Sequence, residues 1–154
     1  MFYLLHRKAI IWACAWVFAY ISVGVAAAQS GARSCPQPRF TGKAPDAFYN
    51  LKSPVSAATE DTKLGEKLYF DGATDRFSCA TCHGAKGDGR GEMAKQYDPP
   101  PRNFACAQTI NGVPDGQLFW IIRFGSPGTA MPAHKHLSDN QVWQLISYVR
   151  GLAK

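Results

Sequence analysis

One short stretch of the chain combines two thiols and an imidazole at a spacing suited to covalent attachment of a tetrapyrrole. Cys79, Cys82 and His83 form the only C-x-x-C-H in the sequence. Two thiols at this spacing can each form a thioether with one vinyl group of the same haem. The adjacent histidine then lies beneath the iron, where a neutral imidazole is a usual ligand. The motif therefore predicts one covalently bound haem c.

Two other uses of paired cysteines fit this motif less well. A redox-active C-x-x-C needs no adjacent histidine and belongs near a β-α-β pattern, which the sequence lacks. A structural zinc site needs four nitrogen or sulfur ligands, and neither a second C-x-x-C nor an H-x-x-x-H follows. The haem interpretation is therefore preferred.

The sequence also contains a candidate for the second iron ligand. Methionine usually fills hydrophobic cores, but Met131 stands among glycine, threonine and proline in a loop at residues 128–132. Such a loop can reach the open face of a haem. The only other methionine after residue 28 is Met93, which follows the haem motif by only ten residues. His134 and His136 are the competing ligands, and an iron left open on this side is a further alternative.

A proline run after the haem motif is expected to border the haem. Prolines offer a carbonyl but no N–H, so we expect a carbonyl of residues 99–101, with Pro100 assigned to the site, to accept a hydrogen bond from His83. Arg102 and Asn103 are candidates for binding a haem propionate. A rigid surface loop with solvated side chains is the alternative interpretation.

The first 28 residues have the composition of a secretory signal peptide. A basic head at residues 6–8 precedes an uncharged apolar stretch at residues 9–25, and three alanines follow at residues 26–28. Cleavage there predicts a periplasmic protein. The alternative is an uncleaved anchor, because residues 9–25 are close to the lower limit for a bilayer span. The chain would then lie on the periplasmic face of the inner membrane.

The rest of the chain predicts one helical domain preceded by a tail. Residues 29–58 lack a lasting hydrophobic period and are expected to form an extended tail, and residues 59–154 form the domain. Apolar residues recur there at helical spacing, with helix-start signals such as Ser138 followed by Gln141. The predicted helices span residues 59–70, 114–124 and 138–153.

Taken together, these features resemble a class I cytochrome c of bacterial type over residues 59–154. The resemblance rests on the order of the haem motif, a glycine-rich segment through Gly91, the proline run, Met131-Pro132 and the C-terminal helix. It implies an all-α bundle around one covalent haem, with His83 and Met131 as axial ligands.

The resemblance also implies how the first and last helices of the domain cross. The family uses a glycine and an aromatic residue one turn apart, here Gly65 and Tyr69. These residues meet a leucine and an aromatic residue on the last helix, here Leu145 and Tyr148.

Two features depart from the family pattern, namely the long tail and two additional cysteines. Cys35 and Cys106 are the remaining pair once the signal peptide and the haem motif are set aside. In an oxidising compartment they are expected to form a disulfide that ties the tail to the domain. Two free thiols, or a bridge to a partner, are the alternatives.

The resemblance implies a monohaem electron carrier rather than an enzyme. It would pass electrons from a dehydrogenase or reductase to an oxidase or reductase. A haem c subunit held in a dehydrogenase or terminal oxidase complex is the second hypothesis, and catalysis at an open iron is the third.

Loss of Arg7 and Lys8 with the signal peptide lowers the net charge from +6 to +4. Because no basic run remains, nucleic acid is not an expected partner.

Overall fold

The computed structural model describes residues 34–55, 59–72 and 78–154. In these ranges the chain forms six α-helices and one 3₁₀ helix, without a β-strand, which confirms the predicted all-α class. The predicted signal peptide at residues 1–28 and the start of the predicted tail lie outside the described residues. No helix in the described ranges combines the length and apolar character needed to cross a membrane.

The α-helices are α1 (Asp46–Tyr49), α2 (Thr59–Asp71), α3 (Cys79–His83), α4 (Ala107–Ile110), α5 (Asp115–Phe124) and α6 (Asp139–Leu152), and the 3₁₀ helix is Ala94–Gln96.

The three long helices occupy the predicted segments, with ends set by local signals. Ser138 caps α6 in a capping box, since Gln141 N donates to Ser138 Oγ at 3.2 Å and Ser138 N donates to Gln141 Oε1 at 2.8 Å. Helix α5 begins after Pro114 and ends at Gly125, whose φ of 83° lies in the region that glycine adopts without strain.

Helices α2 and α6 cross at the predicted residues. A methyl group on Gly65 would lie 2.0 Å from the Gln144 carbonyl oxygen, so only glycine allows this approach. The rings of Tyr69 and Tyr148 lie 5.2 Å apart beside the crossing, and Leu145 is buried there.

Tyr69 connects the helix crossing to the haem motif. Its side chain is fully buried, and its hydroxyl donates to the Gly84 carbonyl at 2.7 Å. Burial raises the pKa of the hydroxyl, so that it remains a protonated donor. The residue after α3 is thereby fixed to α2.

Arg150 of α6 fixes the segment that leads into α5. Its guanidinium donates to the carbonyls of Ile110 and Val113 and pairs with the Asp115 carboxylate at 2.7 Å. Since this pair is only partly exposed, it contributes to the positioning of α5 against α6.

The described part of the predicted tail is folded onto the domain and is not extended throughout. Residues 46–49 form α1, whose Phe48 ring lies 6.5 Å from that of Phe119 and 5.1 Å from that of Phe124. Partial burial of this aromatic side chain stabilises the helical turn against the domain. Before α1, residues 34–44 form an irregular segment, here named the strap, which runs along the domain.

Candidate haem site

A cavity of about 450 Å³ lies next to α3 and contains the sequence-predicted iron ligands. This volume is within the range of roughly 300–1,000 Å³ that is common for ligand pockets. Cys79, Cys82 and His83 line the cavity, and so does Met131. Much of the remaining lining is apolar and comes from α5 and α6: Leu118, Ile121, Ile122, Leu145, Ile146 and Val149.

The cavity has two walls that differ in construction. Residues 79–104, named the His83 wall, contain α3, the glycine-rich segment and the proline run. Residues 125–134, named the Met131 wall, form the irregular segment between α5 and α6.

His83 is held in a single orientation within its wall. The side chain is buried, and its ring stacks on that of Phe104 with centroids 4.4 Å apart. Its Nδ1 lies 3.0 Å from the Arg102 carbonyl oxygen. Because a carbonyl can only accept, Nδ1 carries the proton and donates, which leaves Nε2 for a metal.

The surroundings of His83 favour the neutral imidazole that a metal ligand requires. Burial is the main cause that lowers the pKa of His83, the charge of His134 lowers it less, and the balance of all contributions is a pKa of about 4. The hydrogen bond to Arg102 opposes this shift, because it favours the protonated ring. The His83 side chain is therefore a neutral imidazole at neutral pH, as a metal ligand must be.

The glycine-rich segment packs against α3 and fixes its backbone. Gly89 N donates to the His83 carbonyl at 2.8 Å, and Gly91 N donates to the Cys82 carbonyl at 3.0 Å. A methyl group on Gly91 would lie 2.2 Å from the Thr81 carbonyl oxygen. The haem motif is therefore supported from behind by backbone that only glycine can bring so close.

The hydrogen-bond acceptor for His83 differs from the predicted one. The sequence predicts a carbonyl of the run 99–101, including Pro100, but the acceptor belongs to Arg102. The Pro101 carbonyl instead accepts a hydrogen bond from Gln37 Nε2 of the strap at 3.1 Å. Pro100 still lines the cavity, so it borders the site without holding the histidine.

The predicted propionate ligands also have other partners. The Arg102 guanidinium donates to the carbonyls of Pro38 at 2.6 Å and Thr109 at 3.1 Å. Burial lowers the pKa of Arg102. The buried Asn103 side chain accepts from Cys106 N at 3.2 Å and does not line the cavity. Arg102 lines the cavity as well, so its role at a propionate stays a prediction, whereas Asn103 lies outside the lining and that part of the prediction is wrong.

Of the candidates for the second ligand, Met131 and His134 line the cavity and His136 does not. The Met131 backbone is fixed, since Ser126 N donates to its carbonyl and its own N–H donates to Thr129 Oγ1, each at 3.2 Å. The assignment of Met131 as iron ligand stays a prediction that this placement supports.

The strap contributes lining residues that the sequence did not reveal. Arg39, Phe40 and Thr41 line the cavity. Sequence patterns gave no sign of this, because the strap has no periodicity and its contacts join residues far apart in the chain. The one signal in the sequence is the additional cysteine Cys35. In the structure its Cα lies 5.7 Å from that of Cys106, and the two sulfurs are bonded.

An all-α fold in which the C-x-x-C-H motif borders an apolar cavity has the features that a protein with covalently attached haem requires. The Cytochrome c family model matches residues 62–153, which is more than half of the chain. The chain therefore belongs to the cytochrome c family, carries covalently bound haem c and serves haem electron transfer.

Solved structures that are similar to this chain include the following two. One is the reducing HAO-like protein complex Kustc0457/Kustc0458 of Kuenenia stuttgartiensis, with 28% identity and a TM-score of 0.57 over 71% of this chain. The match covers 50% of that chain, so the present chain spans about half its length. The other is the c-type cytochrome KustC0563, with 32% identity and a TM-score of 0.46 over 58% of this chain and 98% of that one. No curated protein sequence matches the chain.

Proposed function

We propose that this protein is a periplasmic monohaem c-type cytochrome that passes single electrons between redox proteins. The observation that carries the proposal is that Cys79, Cys82, His83 and Met131 line one apolar cavity. Bound haem iron supplies a one-electron couple between the ferric and ferrous states.

Each of these residues has a distinct role in the proposal. Cys79 and Cys82 tether the haem through thioethers, so that it stays bound in both oxidation states. His83 would hold the iron through Nε2, and Met131 would supply the second ligand. The His/Met pair raises the reduction potential relative to harder ligand sets. The apolar lining excludes water and thereby disfavours the ferric state, which carries one more positive charge than the ferrous state. This effect raises the potential as well.

Filled axial positions favour an electron carrier over an enzyme, because no substrate can reach the iron directly. Electrons then leave through the edge of the haem. Cys79 and Cys82 are only partly buried, so a redox partner can approach the haem edge beside them. Candidate donors are a dehydrogenase or a reductase, and candidate acceptors are an oxidase or a reductase.

The proposed location is the periplasm. It rests on the signal-like composition of residues 1–28 and on the bonded sulfurs of Cys35 and Cys106, because such bonds persist in oxidising compartments. If residues 9–25 remain attached, the protein is held at the periplasmic face of the inner membrane.

A haem c subunit of a larger oxidoreductase complex is the second candidate. The likeness to a chain of the HAO-like complex favours it, since that chain belongs to an assembly. The strap and α1 then supply additional surface for a fixed neighbour.

Expression of the full chain in a host that matures c-type cytochromes tests both candidates. We expect pigment in the periplasmic fraction that survives acid acetone extraction, and an intact mass equal to the chain from Gln29 plus one haem. Gel filtration of the protein from its native source separates the two candidates. Elution at monomer size supports the free carrier, and co-elution with other subunits supports the complex. Pigment extracted by acid acetone would contradict both.

A further inference from the structure

The strap is in contact with the haem site although it lies outside the family-matched residues 62–153. Its first end is joined to the residue that precedes α4 by the bond between Cys35 and Cys106. Its second end is held by Gln117 of α5, whose Oε1 accepts from Ala44 N at 2.7 Å. Between these ends, Thr41 and Ser126 share a hydrogen bond that joins the strap to the Met131 wall.

Gln37 makes the most specific contact of the strap with the His83 wall. The residue is buried, with 3% of its surface exposed. Its Nε2 donates to the Pro101 carbonyl at 3.1 Å, and its Oε1 accepts from Asn103 N at 2.8 Å. One buried amide therefore brackets Arg102 by binding backbone groups on both of its sides.

The strap also binds the side chain of Arg102. The guanidinium donates to the Gln37 carbonyl at 3.2 Å and to the Pro38 carbonyl at 2.6 Å. The main chain and the side chain of Arg102 are thus both fixed by the strap. Arg102 is also the residue whose carbonyl accepts the hydrogen bond from His83 Nδ1 at 3.0 Å.

We propose that Gln37 is a positioning residue for His83, which sets the hydrogen bond to Arg102 and thereby the reduction potential of the iron. This inference rests on the proposed function, in which His83 ligates the iron. A partner that accepts the remaining ring N–H raises the basicity of a metal-bound histidine. A more basic ligand favours the ferric state, so a weaker hydrogen bond raises the potential.

The test replaces the amide in the holoprotein. Gln37→Met keeps the length and much of the apolar volume of the side chain but removes both hydrogen bonds. We expect the potential to rise by up to about 59 mV, which corresponds to a tenfold change in a one-electron equilibrium. We also expect the His83 Nδ1 proton in the NMR spectrum of the ferrous protein to shift and to exchange faster with solvent.

Thr109→Val is the matched control for a merely structural effect of the strap. Gln37 N donates to Thr109 Oγ1 at 2.8 Å, so this variant also removes a buried hydrogen bond of Gln37. It leaves the amide bracket around Arg102 in place. We expect a similar loss of stability, with the potential and the Nδ1 proton unchanged.

Gln37→Asn decides the question if the methionine variant does not fold. Its amide is retained but is one methylene too short to reach both backbone groups, so we expect smaller shifts in the same direction. The inference would be overturned if the folded Gln37 variants kept the wild-type potential and the wild-type exchange of the Nδ1 proton. It would also be overturned if Thr109→Val shifted both by the same amounts. Either result would leave the proposed function standing. A wild-type spectrum without histidine ligation would instead overturn the proposed function.

Discussion

The His83 wall and the Met131 wall of the haem cavity are fixed to different degrees. His83 has its backbone bound by Gly89, its ring stacked on Phe104 and its Nδ1 bonded to Arg102. On the other wall, Ser126 and Thr129 bind the backbone of Met131. Those bonds fix the loop but leave a thioether on three rotatable bonds.

Under the proposed function, this difference predicts how the two candidate ligands would take up their positions. The protein orients the histidine, whereas the position of the methionine side chain would depend more on the iron. Changes in the His83 wall are therefore expected to affect haem retention and stability. Changes in the Met131 wall are expected to affect the chemistry of the iron and to leave the fold intact.

The largest effect is expected when the covalent link of the His83 wall is removed. In the double variant Cys79→Ser with Cys82→Ser, no thioether can form. We expect the protein to lose nearly all of its haem. A denaturing gel stained for haem measures this loss. The double variant Cys35→Ser with Cys106→Ser is the control and should retain its pigment. Equal pigment in both would contradict the assignment.

The next effect concerns the Met131 wall alone. In Met131→Ala the thioether is gone, so the potential should fall by on the order of 0.1–0.3 V, within the range of about 0.8 V that axial ligands span. The ferrous iron should then bind carbon monoxide. Spectroelectrochemical titration measures the potential, and Met93→Ala, whose side chain does not line the cavity, should behave as the wild type. An unchanged potential in Met131→Ala would shift the assignment to His134.

Loss of the strap's covalent anchor should reduce stability more than it alters the iron. The bond between Cys35 and Cys106 spans 71 residues, for which the chain-entropy account gives up to about 4 kcal/mol. Cys35→Ser with Cys106→Ser should lower the free energy of unfolding accordingly in urea titrations. Peptide mapping of the wild type without reduction supplies the direct check, and separate peptides for the two cysteines would refute the bond.

The smallest effect concerns the crossing of α2 and α6. Helix α2 in turn holds the His83 wall through the hydrogen bond from Tyr69 to the Gly84 carbonyl. Gly65→Ala places a methyl group against the Gln144 carbonyl and should cost about 1–3 kcal/mol of stability. Gly151→Ala on α6 has open space around it and should instead stabilise the protein by up to about 1 kcal/mol. Equal thermal midpoints for the two variants would argue against a close crossing of α2 and α6.

The sequence predicted those parts of the molecule that depend on local signals. Helix α6 follows from its apolar period and from the Ser138 cap, and α5 from its start and from Gly125. The haem motif was identified because the chemistry fixes its spacing. Such features require only neighbouring residues, and the structure reproduces them with small shifts at the ends.

The parts that the sequence did not predict depend on long-range polar contacts. His83 is bonded to the Arg102 carbonyl, while the strap binds the Pro101 carbonyl beside it. Gln37 has no periodic or motif context, and its partners lie more than sixty residues away. Only the folded arrangement brings these groups together.

The central claim is that the haem iron is closed between His83 and Met131. Its most direct test is the absorption spectrum of the purified ferrous protein before and after saturation with carbon monoxide. The account predicts the spectrum of a low-spin, six-coordinate haem that the gas leaves unchanged. Prompt conversion of the whole sample to a carbon monoxide adduct would show that the Met131 side of the iron is open and would contradict the account.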